Sequence, residues 1–101
     1  ALTRPVTRED VIRRMDGLLL RFSFMSGLVG IDKMHDFMRA LAAETEGYLD
    51  VIERQLREFG PGLPFSARSA LEQGVESYRT IARWAKKTLA ELKRLRTEQG
   101  E

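Results

Sequence analysis

None of the 101 residues is a cysteine, so disulfides, thiolate nucleophiles and sulfur-ligated metals are excluded at the outset. Histidine occurs once, at His35, which leaves histidine-based metal sites and hydrolytic triads short of partners. There are only three prolines, Pro5, Pro61 and Pro64, and none interrupts a run of helical spacing. The longest uncharged apolar stretch, 27–31, falls far below the roughly 20 residues a membrane-spanning helix requires. No signal-peptide pattern opens the chain, so a cytoplasmic setting without membrane contact is expected. A dominant charge is also lacking. The net charge is +2, and its small basic surplus lies beyond Pro64, too mild for a nucleic-acid binder. Period-two alternation is absent, which removes strands and with them the strand-anchored glycine loops that cradle phosphates.

What remains is helix. Between 66 and 98 no proline occurs, and Ala67, Leu71, Gly74, Tyr78, Ile81, Ala85, Leu89, Leu92 and Leu95 recur at steps of three and four. That spacing lines one flank of an α-helix, widened by Ala70, Val75, Ala82 and Trp84. Such a helix extends roughly 50 Å at about 1.5 Å per residue. A compact domain of this length has a radius of gyration of about 13 Å. The rest of the chain is therefore too small to cover the helix, and its apolar flank reads as an assembly surface. Leu71, Gly74, Tyr78, Ile81, Ala85, Leu89 and Leu92 are the candidate dimer seam, with Gly74 admitting close approach of another helix.

A shorter first helix is expected over 8–26, opened by a Thr7–Asp10 capping pair and closed by Gly27 and Gly30. A second, over 32–59, takes Asp32 as its N-cap and carries Met34, Met38, Leu41, Thr45, Tyr48, Ile52 and Phe59 on one face. The segment 60–64, with its two glycines and two prolines, breaks the chain before Ser66 caps the third helix. The expected fold is all-α: one short and two long antiparallel helices in a domain spanning 7–98, intertwined with a second copy as a homodimer.

Chemistry is sparse. His35 has only Asp32 and Asp36 nearby and reads as a solvated first-turn histidine, not a metal ligand. The serines lack a glycine elbow, and Glu44, Glu46, Asp50 and Glu53 read as the wet side of the second helix. Glu76 with Arg79 and Glu91 with Arg94 fit intrahelical ion pairs. No catalytic residue, metal site or cofactor is expected. Trp84 has two readings, a packing anchor or one wall of a pocket for a flat apolar ligand. In the second, Tyr78, Met34, Phe37 and Met38 join it. Gly17 and Gly47 are weak points in helices 1 and 2 without an evident purpose.

Three segments together resemble the C-terminal domain of PadR-like transcriptional regulators, the virulence-activator alpha C-terminal type. They are Leu18, Leu19, Leu20, Arg21, Phe22, Ser23 and Phe24; the long charged run 37–59; and Ala70 through Val75 followed by Ala82, Arg83 and Trp84. The resemblance covers about residues 7–95 and rests on the order and spacing of all three. It implies a dimerisation domain with an effector-sensing role for a small aromatic or cationic compound. It also implies that residues 1–6 are the linker from an N-terminal winged-helix domain, and that operator DNA is contacted only through that missing domain. Gly17 and Gly47 depart from the family pattern. The alternative is a stand-alone helical module that binds a small molecule.

Overall fold

The computed structural model describes residues 4–99; residues 1–3 of the expected linker lie outside them. Four α-helices follow in order: α1 (Arg8–Arg13), α2 (Met15–Ser23), α3 (Ile31–Phe59) and α4 (Phe65–Gln99). A single 3₁₀ turn, Gly60–Gly62, joins α3 to α4. No strand occurs among the described residues, and no helix there is long and apolar enough to cross a membrane.

The capping pair is present in both directions. The Asp10 amide donates to Thr7 Oγ1 at 3.1 Å, and the Thr7 amide donates to Asp10 Oδ2 at 3.2 Å. The expected single helix over 8–26 is nevertheless broken in two. Arg14 leaves helical geometry at φ −136°, ψ 33°, although neither glycine nor proline stands there. A break strands carbonyls one turn earlier, because their usual N–H partners are displaced. The Tyr78 hydroxyl, arriving from α4, donates to Val11 O at 3.0 Å and lies 3.4 Å from Ile12 O. One distant side chain thus takes up what the interruption releases. Tyr78→Phe is expected to cost about 1 kcal/mol, read as a lower urea midpoint with unchanged slope.

Other boundaries shift by one to three residues, α2 ending at Ser23 and not at 26. Gly30, not Asp32, occupies the N-cap of α3, and Asp32 sits in its first turn. The last helix starts at Phe65, so Ser66 is inside it and not its cap. Gly27 takes φ +80°, the left-handed conformation that glycine alone adopts cheaply, and turns the chain between α2 and α3.

Helices α3 and α4 form an antiparallel pair. Arg79 reaches Glu53 at 2.7 Å and, two turns along both helices, Lys86 reaches Glu46 at 3.3 Å; Arg96 and Asp32 close the far end at 3.6 Å. These exposed pairs fix register more than they add stability. Arg79 therefore crosses to α3 and does not pair with Glu76, while Arg94 pairs forward with Glu98 at 3.7 Å. Between the helices lie Ala42, Ala82 and Ala85, whose small side chains let the backbones close, and Met38, Leu41 and Leu92, which fill the rest. Val11, Leu18 and Met25 add the contributions of α1, α2 and the following turn.

A Cβ at Gly47 would meet the Arg8 guanidinium, which reaches Glu44 at 2.7 Å; that guanidinium is the end of a flexible, exposed side chain free to swing aside, so the contact does not by itself demand glycine. The molecule is long and thin, 55 × 25 × 15 Å, with a radius of gyration of 15.9 Å against the about 13 Å of a compact domain. The thinnest dimension fits two layers of helices, with α1 and α2 laid over the α3–α4 pair.

Candidate functional site

An apolar groove opens where α2 meets α4. Leu19, Phe22 and Ser23 come from α2; Thr80, Ile81 and Trp84 come from α4. They wall an open groove of about 470 Å³ with no charged group in its lining. Helical spacing explains the α4 side. Val75, Ala82 and Ala85 turn toward α3, while Ile81 and Trp84 are rotated onto the neighbouring flank. Phe22 seats the indole, its ring meeting Trp84 edge-on at 6.1 Å and stacking on Phe37 at 5.9 Å. Arg21 also lies over the Phe37 ring, 4.8 Å from its centroid. Beside the groove, Leu20 and Phe24 are more than half exposed, as is Leu28 in the next turn.

The expected seam is divided by this arrangement. Ala85 and Leu92 are buried in the core of their own chain, and Leu89 packs against it. Tyr78 is engaged by Val11 and by the Tyr48 ring, edge-on at 4.9 Å. Burial raises its hydroxyl pKa above 10, with Tyr48 adding to the effect. Leu71 and Ile81 are half-buried. Gly74 has no atom within 4 Å of where a Cβ would stand, so no other helix of this chain closes on it.

The expected pocket residues do not converge either. Trp84 alone lines the groove. Met38 is fully buried, Phe37 is nearly so, and Tyr78 points to the α1–α2 joint. Met34 packs against the core, its sulfur 3.8 Å from the Ser26 hydroxyl. Leu19, Phe22, Ser23 and Thr80 take their places. Leu19 and Phe22 read from sequence as core positions of the first helix, and nothing local in Ser23 or Thr80 signals a groove.

His35 is buried, with 5% of its surface exposed, and is not the solvated residue its polar neighbours suggest. Neither ring nitrogen has a hydrogen-bond partner. Burial first, then the charges of Arg96, Lys93 and Arg39, hold its pKa below the ordinary 6.5, with Asp36 opposing. The unfolded chain therefore takes up this proton at higher pH than the folded one does. Stability is expected to fall as pH drops below about 6.5, down to the folded pKa. His35→Leu should remove that slope and add about 1 kcal/mol at neutral pH by eliminating unpartnered polar atoms, as urea unfolding at pH 7.5 and 5.5 would measure. Among the described residues no cluster of three or more histidines and carboxylates is placed to hold a metal ion.

Comparison with protein-family models, with curated proteins and with solved structures finds no match to this chain.

Proposed function

We propose that the chain is a helical pairing module of the PadR-like type: two copies join as an intertwined homodimer and hold two DNA-reading heads at a fixed separation. Those heads belong to the winged-helix domain that the resemblance places ahead of residue 7. Two-fold pairing suits operators with symmetric half-sites, because the protein symmetry sets the half-site spacing. The module itself has no catalytic step. The observation that carries this reading is the bare apolar groove of Leu19, Phe22, Ile81 and Trp84 on an elongated molecule. Covering such surface is worth about 25 cal/mol per Å², enough for a few hundred Å² to decide the assembly state. Light scattering at tens of micromolar tests it. The expected mass is twice the 11.6 kDa of the chain, and a mass of one chain overturns the proposal.

The same groove favours a second reading, the sensing of a flat aromatic compound by the module, alone or paired. Its volume lies within the range of about 300–1,000 Å³ usual for small-ligand sites. No carboxylate lines it, so a cationic effector would be held by the ring faces of Trp84 and Phe22 alone. Titration of aromatic compounds against Trp84 fluorescence tests this reading; an unchanged spectrum across a broad panel overturns it.

A further inference from the structure

Three arginines, Arg4, Arg14 and Arg21, line the α1–α2 joint beside one carboxylate, Asp10. With Asp10, Gly17 and Leu18 they wall a recess of about 100 Å³. The balance of charge is uneven, because Asp10 is already engaged. Its Oδ2 accepts the Thr7 amide, and its Oδ1 lies 3.8 Å from Arg4. The Thr7 hydrogen bond, then the Arg4 and Arg14 charges, hold its pKa below the ordinary carboxylate value, so it is ionised at neutral pH.

Arg21 fares worse. Its Nη2 donates to the Arg4 carbonyl at 2.5 Å, but Nε and Nη1 are buried without any acceptor. A guanidinium carries five N–H donors in a fork shaped for oxyanions. Burial of such donors without partners is costly enough that native structures seldom leave them so. Burial and the Arg4 charge together press the Arg21 pKa downward, and Asp10 only partly opposes them.

We propose that this recess binds a small tetrahedral oxyanion, phosphate or sulfate in class. The anion supplies the charge the cluster lacks; Arg21 Nε and Nη1 have no surface open to the recess as they stand and would add their donors to it only if the guanidinium left the Phe37 ring. Two features of the chain meet at the recess. The chain interruption at Arg14 brings that residue and the first turn of α2 to the same opening. Gly17 stands at the opening, and a Cβ there would meet no protein atom. The site stands apart from the α2–α4 groove and does not depend on pairing.

Titration of the protein with inorganic phosphate, followed by amide and arginine Nε chemical shifts, tests it against chloride at matched ionic strength. Saturable shifts at Gly17 and Arg21 are expected, with sulfate acting alike. Arg14 is exposed, so Arg14→Gln should fold normally and bind about tenfold more weakly, the loss of one charge-assisted contact. Gly17→Ala should also weaken binding while preserving the helix. No saturation, or equal saturation in both variants, overturns the proposal. So does binding only to vesicles carrying phosphatidate, which would make the arginines a membrane-facing patch and not a site for a free anion.

Discussion

Ala85→Glu is expected to leave the chain without a stable fold, seen as loss of the helical circular-dichroism signal at neutral pH. Ala85 has no exposed surface and is buried with Ala42 and Ala82 in the core of α3 and α4. A glutamate there adds volume to a packed contact and carries a charge that cannot reach water. An unpaired buried charge costs several kcal/mol, and forcing extra atoms into a packed core adds about 1–3 kcal/mol. A small domain has about 5–10 kcal/mol to lose. The same argument gives the contrast: Ala90→Glu, one and a half turns further on an exposed face, should change the urea midpoint little. A folded Ala85→Glu protein with a native midpoint would mean that this face of α4 does not pack on α3.

The parts of the fold that local chemistry decides are legible in the residues. Steps of three and four through Leu71, Ala85 and Leu92 give a helix of the observed length, and the glycines and prolines of 60–64 give the turn before it. The Thr7–Asp10 pair is a local hydrogen-bonding unit and appears where expected. The break at Arg14 is not legible, because its compensation arrives from Tyr78, 67 positions away from Val11. His35 misleads for the same reason. Its neighbours Asp32, Lys33 and Asp36 are polar, but the last turns of α4 bury it. The candidate seam fails differently. Periodicity establishes that a broad face is apolar, yet says nothing about which neighbour covers each part. Ala85 and Leu92 go to the chain's own core, while Ile81 and Trp84 go to the open groove.

That division makes Ile81→Glu the informative partner of the first variant. Ile81 is half-buried at the groove wall, so in a lone copy a glutamate there keeps access to water. Folding should survive, with near-native helical signal and a midpoint shifted by about 1 kcal/mol or less. If two copies meet across this groove, the charge becomes buried without a counter-ion and, by two-fold symmetry, does so twice. Breaking a buried pairing in this way costs about 3–5 kcal/mol, a weakening of roughly a hundredfold to several thousandfold. Light scattering should then report one chain per particle where the unsubstituted protein reports two, and Trp84 emission should move to the red as the indole becomes wet. Two outcomes oppose the pairing proposal: a single-chain mass before substitution, or an intact pair after it. In the second case two copies would have to meet elsewhere, and the exposed Leu20, Phe24 and Leu28 would be the next apolar surface to charge.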